Sequence, residues 1–346
     1  VVLAGTAAGA VGLSLAACGK GKKAGSQADS KTVTVVTHDS FHVSEDLQKA
    51  FTSETGYTLK IATSGDAGAL VNKLVLTKDA PLGDAVFGID NTYATRALDQ
   101  GVIDTSATVT LPKGAESYVV ADTPALAPID VGDVCLNIDT GYFTGKGLTP
   151  PATFEDLTKP EYKGLLVAIN PTNSSPGMAW LLATIGHFGA GSFADYWKQL
   201  VANGARIAED WSAAYETDFS GSGKGTYPIV VSYASSPSFT VSKDKSSSST
   251  SALLDTAFRQ VEYAGVLKGA ANPEGGKAFV TWMLSKAVQE DIPGQMYMYP
   301  VLPDAALPEP LTKFGPLSKS PVKVDPKEIT THREEWLNTW TEAVGK

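Results

Sequence analysis

The chain reads as an α/β protein of two lobes, joined by two extended crossover strands, with a ligand cleft at the lobe interface. Three observations predict this. Strand, loop and helix alternate three times between Thr32 and Gln100, the rhythm of a parallel sheet with crossover helices. The rhythm then breaks at a long extended segment, Leu126–Ile138, and a second one, Val261–Lys268, leads back after a further set of strands and helices. The stretch beyond Lys31 is also longer than one hydrophobic core usually serves, so two domains are expected. Their boundaries read as 32–125 with 258–302 for the first lobe, and 126–257 with 303–346 for the second.

Ahead of the lobes, residues 1–17 form a short apolar run rich in small residues, closed by Leu15-Ala16-Ala17-Cys18. It is too short to span a bilayer and has the length and small-residue exit of a secretory signal. A cysteine at that exit resembles the bacterial lipobox, which implies lipidation of Cys18. Residues 18–31, rich in Gly, Lys and Ser, then read as a flexible tether. No Met and no basic stretch precede Val1, so a clipped start is expected. The expected location is extracytoplasmic, lipid-anchored to the outer face of the cell membrane.

The first lobe opens with the β-branched strand Thr32–Thr37, followed by the loop His38-Asp39-Ser40 and an amphipathic helix through Leu47, Ala50 and Phe51 that stops at Gly56. Leu59–Ala62 is a second strand, and Ala69–Leu76 a helix with Leu70, Val71, Leu74 and Val75 on one face. Asp84–Ile89 is a third strand, with Asp90-Asn91-Thr92 placed to cap the helix Tyr93–Gln100. In the second lobe, Leu165–Ile169 and Pro228–Tyr233 read as strands, with Gly177–Phe188 and Phe193–Val201 as helices. Residues 242–251 are a Lys/Ser-rich surface loop. Pro273–Ser285 and Lys327–Val344 are the last two helices.

Composition narrows the partners. A net charge of −9 argues against nucleic acid and favours a cationic small molecule. Once Cys18 is lipidated only Cys135 remains, so there is no disulfide framework and Cys135 reads as a buried, inert thiol. After Lys31 no apolar run approaches the roughly 20 residues of a membrane-spanning helix.

In open α/β sheets ligands sit beyond the carboxyl ends of the strands. The residues there are His38, Asp39 and Ser40, then Gly65 and Asp66, then Asp90 and Asn91, all from the first lobe. The second lobe supplies Ser174 and Ser175 at a helix start, Trp211 and Tyr215, and Tyr233 with Ser236; Tyr297 comes late in the chain. Carboxylates beside flat aromatic faces suit an organic cation, a ring contributing about 0.5–2 kcal/mol. A helix start with free N–H groups suits a phosphate.

The motifs Val36-Thr37-His38-Asp39-Ser40-Phe41, Phe87-Gly88-Ile89-Asp90-Asn91, Ser174-Ser175-Pro176-Gly177, Trp211-Ser212-Ala213-Ala214-Tyr215, Val231–Pro237 and Met298-Tyr299-Pro300-Val301, in this order, resemble the thiamine-binding proteins of bacterial ABC importers, in the type II periplasmic binding protein class. The resemblance runs from about Thr32 to the last helix. It implies capture of thiamine, with its mono- and diphosphate, for delivery to the membrane subunits of a permease, by a monomer without a cofactor. By matching position it implies stacking residues at Trp211, Tyr233 and Tyr297, ligand-facing Asp39 and Asp66, and Ser174-Ser175 near the phosphate end. Two positions depart from the family pattern: His38 replaces a tyrosine and Tyr297 a tryptophan. A protonated His38, with an ordinary pKa of about 6.5, would oppose a thiazolium and favour a phosphate.

Within the same fold the alternatives are a polyamine or ferric-ion binder. Iron members tend to use adjacent tyrosines, and no Tyr-Tyr pair occurs. A surface α/β hydrolase is the reading from another class, and it lacks a pairable nucleophile and base. Gly221–Thr226 resembles part of a phosphate loop, but Asp218 stands where the first glycine belongs and a strand follows. His38 and His42 are too few for a zinc site, which needs three or four ligands. No catalytic residue and no metal site is therefore expected.

Overall fold

The computed structural model describes residues 31–222 and 224–345. The expected signal, Cys18 and the tether through Ser30 lie outside the described residues. In the first lobe β1 (Thr32–Thr37) leads to α1 (Glu45–Thr55), which stops where Gly56 turns left-handed at φ 74° and returns its N–H to Thr52 O. Then come β2 (Thr58–Thr63), α2 (Ala67–Leu76), β3 (Ala85–Asp90) and α3 (Ala94–Asp99). Alternate polar residues on β2 stay exposed because it is the edge strand, whereas β3 is buried along its whole length.

The crossover β4 (Leu126–Asp139) and α4 (Thr140–Lys146) lead into β5 (Leu166–Ile169), α5 (Ser175–Phe188), α6 (Phe193–Ala202), β6 (Arg206–Ala208) and β7 (Ile229–Tyr233). The return crossover β8 (Thr250–Val266) is followed by α7 (Pro273–Met283), α8 (Lys286–Met296), β9 (Tyr299–Pro300), α9 (Glu309–Phe314) and α10 (Pro326–Val344). Among the described residues no helix is long and apolar enough to cross a membrane.

Helix α8 has no counterpart in the sequence reading because Pro293 and Gly294 interrupt its pattern. It holds because Gln289, fully buried, donates to Ile129 O and Met283 O and accepts from Leu302 N–H. Pro293 falls late enough in α8 that only its last turn loses a backbone bond.

The strands of the two lobes belong to one sheet. The strands follow one hydrogen-bonded path, β2-β1-β3-β8-β4-β7-β5-β6, with β9 on β4. The outer pairs β1–β2, β1–β3, β5–β7 and β5–β6 are parallel, as expected for crossover helices. The two crossovers instead run antiparallel beside each other, and each also pairs with strands of the flanking lobe. Register shifts at Pro128/Asp130 and Val134/Leu136 bend the pair between the lobes.

One hydrophobic core runs through both lobes. Phe51 packs on Trp282 in the first (ring centroids 5.2 Å), and Trp180, Trp197 and Trp340 meet edge to face in the second, at 5.2 and 5.6 Å. The crossovers are clamped where Arg259 on β8 grips the fully buried Asp133 on β4, with Nη2 to Oδ2 at 3.0 Å. Asp133 also accepts from Arg259 Nε and from Ser318 N–H. Asp133→Ala leaves that guanidinium unpaired, and because Arg259 keeps some solvent the expected loss is about 3 kcal/mol, the low end for a broken buried pair, measurable by urea unfolding.

Candidate functional site

A cavity of about 270 Å³ opens between the lobes, lined by the carboxyl ends of β1 and β7, the starts of α2 and α5, the middle of β8 and the chain leaving α8. From β1 come His38, Asp39 and Ser40, with His42 beyond them. Asp66 enters from the start of α2, where its Oδ1 accepts from Ala67 N–H at 2.6 Å. Ser175 and Pro176 face it from the start of α5.

The opposite wall is aromatic. Trp211, Tyr233 and Tyr297 all line the cavity. Trp211 lies 6.4 Å from Tyr233 and 5.8 Å from Tyr297 between ring centroids, with planes 56° and 67° apart. Trp211 is held from behind: its Nε1 donates to Ser232 Oγ at 2.9 Å, Ser232 Oγ pairs with Ser236 Oγ at 2.8 Å, and Tyr215 stacks on it at 5.0 Å and 12°. Tyr297 ends α8 in a left-handed turn (φ 64°), its carbonyl accepts from Ser235 Oγ, and Phe239 stacks on its ring at 3.6 Å. A non-glycine residue in that conformation is uncommon and here is over-determined by its contacts.

The floor is acidic. Asp90 on β3, Glu262 on β8 and Asp130 on β4 stand in register across three neighbouring strands, and all three are buried. Like charges directly opposite each other destabilise a sheet, so protons and His38 must neutralise this row. Burial first, then the Glu262 carboxylate opposite it, hold the pKa of Asp130 well above the usual range. On the other side Glu262 Oε1 lies 3.2 Å from His38 Nε2. Burial works against charge on His38, but Glu262, with Asp66 and Asp39 behind it, raises its pKa above the ordinary value. Burial pushes the Asp90 carboxyl up to about 7, against hydrogen bonds from Thr92 N–H at 3.0 Å and Thr92 Oγ1 at 2.7 Å.

Closed contacts join the lobes beside the cavity. Asp66 Oδ1 accepts from Ser175 N–H at 3.2 Å, Ala69 N–H donates to Asn173 O at 3.3 Å, and Tyr93 Oη donates to Pro171 O at 3.1 Å. A Cβ at Gly68 would lie 2.6 Å from Tyr93 Oη and 2.7 Å from Asn173 O, so only glycine permits this approach.

Eight of the fourteen ligand-binding residues expected from the sequence line the cavity: His38, Asp39, Ser40, Asp66, Ser175, Trp211, Tyr233 and Tyr297. The other six do not. Gly65 supports the site through backbone, its carbonyl accepting from Asp39 N–H at 3.0 Å. Asp90 is turned into the floor. Asn91 extends the ladder, donating to Arg259 O and accepting from Val261 N–H, both at 3.1 Å. Ser174 caps α5, and Tyr215 and Ser236 brace Trp211 from behind. A place after a strand thus decides which loop a residue joins, while the local turn decides which way it points.

The cavity also takes residues that the reading leaves out, above all Glu262 and Glu216, with Met296 and Met298 on either side of Tyr297. Glu262 carries a readable signal, one carboxylate within the apolar run Val261–Leu267. Glu216 sits on a wide helical turn, Ala213–Asp218, that no spacing marks.

Two lobes hinged on paired strands, closing on an aromatic and acidic cavity, define a receptor for a small solute. Residues 84–317 match the bacterial extracellular solute-binding protein family, and the chain belongs to that family. It is 27% identical over 326 residues to a thiamine-binding periplasmic protein of Salmonella typhimurium, covering 91% of this chain and 94% of that one. A solved periplasmic thiamin binding protein superposes with a TM-score of 0.79 at 25% identity, covering 91% and 96%. Iron-bound HitA from Pseudomonas aeruginosa shares the fold, with a TM-score of 0.70 at 20% identity over 90% and 99% of the chains.

Two outcomes test the floor. Asp90 binds its proton more tightly in the fold than in the unfolded chain, so its contribution to stability is present below about pH 4 and is lost as pH rises through about 7. Asp90→Asn should therefore gain stability over the parent at pH 8, on the order of 2 kcal/mol, and lose that advantage at pH 4.5, as read by urea unfolding at both values. Gly88 has φ 96°, and a Cβ there would lie 2.0 Å from His38 Cδ2. Gly88→Ala should displace His38 and cost at least about 1–2 kcal/mol from the left-handed backbone alone, with a shifted His38 imidazole resonance in NMR.

Proposed function

We propose that this protein captures thiamine outside the cytoplasm and delivers it to the membrane subunits of an ABC importer. The observation that carries the reading is the gathering of Trp211, Tyr233 and Tyr297 beside Asp39, Asp66, Glu216 and Glu262 in one cavity. Thiamine is a flat, cationic, two-ring molecule, and rings over aromatic faces with acidic oxygens nearby meet it on both counts. A cavity of about 270 Å³ suits a ligand at the small end of the roughly 300–1,000 Å³ range of ligand sites. Likeness to thiamine-binding periplasmic proteins over 91% of the chain supports the same ligand.

In this reading the protein binds and releases without catalysis and needs no cofactor. The lobes comprise 32–125 with 258–302 and 126–257 with 303–346, hinged where β4 and β8 shift register. Cys18 anchors the protein by lipid to the outer face of the membrane, and the tether lets the lobes reach the permease.

Titration of the purified protein with thiamine should quench tryptophan fluorescence at micromolar ligand, because Trp211 lines the cavity. No quenching with thiamine, and a response to spermidine or ferric citrate, would overturn the reading. Trp211→Ala should weaken thiamine binding by about 1 kcal/mol or more, roughly fivefold or greater, measured by calorimetry. Unchanged affinity would make that ring part of the core.

A further inference from the structure

We propose that a proton and the ligand's positive charge compete for one place in this cavity: His38 carries the proton in the free protein and gives it up to solvent when the cation enters. The inference deepens the thiamine reading above and rests on it. His38 is fixed where its charge matters. Its ring lies so close to the Gly88 backbone that a Cβ there would come within 2.0 Å of Cδ2, and it packs on the Phe87 ring at 5.4 Å between centroids. Its Nε2 lies 3.2 Å from Glu262 Oε1; both side chains are buried and both line the cavity. A ring held in this way cannot swing its charge aside for a ligand.

Acidic groups face His38 from three elements: Glu262 from β8, Asp66 from the start of α2 and Asp39 from its own loop. Asp90 on β3 and Asp130 on β4 flank Glu262 in the row behind. His42, Glu216 and the hydroxyls of Tyr233 and Tyr297 are the other titratable groups of the lining. Burial opposes a charge on His38, but Glu262, then Asp66 and Asp39, hold its pKa above the ordinary 6.5. In a cavity of about 270 Å³ a thiazolium finds no position far from His38, and like charges sharing a buried site are poorly screened. The carboxylates that held the proton become the ligand's counter-ions, and the imidazole is left neutral. One cation enters, one proton leaves, and the net charge of the site is unchanged. Linkage is reciprocal, so the bound cation weakens the hold of His38 on its proton by the factor by which the proton weakens the hold on the cation. Affinity for the cation therefore climbs as pH rises through about 6.5 and levels off once His38 is neutral in the free protein.

Calorimetric titration of the purified protein with thiamine, in two buffers of different ionisation enthalpy, counts the protons released. At pH 6.5 the release should be on the order of half a proton or more per thiamine, and binding should be at least about threefold tighter at pH 8 than at pH 6. His38→Gln should abolish both the release and the pH dependence, whatever its affinity. Asp90→Asn, which removes the other group titrating near neutrality, should keep both. NMR of the parent protein should show the His38 imidazole titrating at lower pH with thiamine bound than without it. Binding without proton release, a release that survives His38→Gln, or an unmoved His38 midpoint would overturn the exchange and leave the thiamine reading standing. No binding of thiamine at any pH would remove the thiamine reading, and the exchange with it.

Discussion

Three carboxyl groups in one cross-strand row impose the condition that the rest of this molecule satisfies. Asp90, Glu262 and Asp130 cannot all be ionised side by side in a dry sheet, because each uncompensated charge would carry a large desolvation penalty. Asp130 answers by keeping its proton, Asp90 by titrating near neutrality, and Glu262 by facing His38. Only Glu262 and His38 reach the cavity, so the row presents a matched pair to the ligand and hides the remaining acidity behind it.

The same row lies on the mechanical axis. Asp130 and Glu262 are opposite one another on β4 and β8, beside a register shift and three residues from the Asp133–Arg259 clamp. Strands that connect the lobes therefore also carry the site's buried charge. Small rotations about the bulges would change the distance between His38 on the first lobe and the Trp211 and Tyr233 rings on the second, which would couple closure to the electrostatics of the cavity. The helix α10 spans the lobes from outside, with Arg333 over the Tyr93 ring at 4.1 Å and Thr330 bonded to Thr95 at 3.0 Å.

Much of this was legible in the chain and some of it could not be. The strand-helix alternation of the first lobe is read correctly because each element carries its own local signal: the β-branched run at Thr32–Thr37, the glycine stop at Gly56, the one-sided helix through Leu70 and Leu74. Trp211, Tyr233 and Tyr297, which line the cavity, are legible because the family resemblance matches all three positions. The fusion of the two sheets was hidden, because pairing of β4 with β8 joins segments more than a hundred residues apart and leaves no periodicity behind. The orientation of Asp90, Asn91 and Ser174 was hidden for a different reason. Capping and ligand binding call for the same small polar residues in the same places, and only the hydrogen-bond partners separate the two uses. Glu262 was visible as a lone acid in an apolar strand, but its partner Asp130 acquires meaning only through register.

At Gly68 the two lobes come within reach of one another across a gap that a single carbon would fill. The shut position of the clamshell is thus defined by a hydrogen atom, and the helix α2 behaves as a doorstop whose thickness is set at one codon. Drift at that position would leave the binding residues untouched and still change how completely the cavity is sealed from water, which makes residence time adjustable independently of recognition.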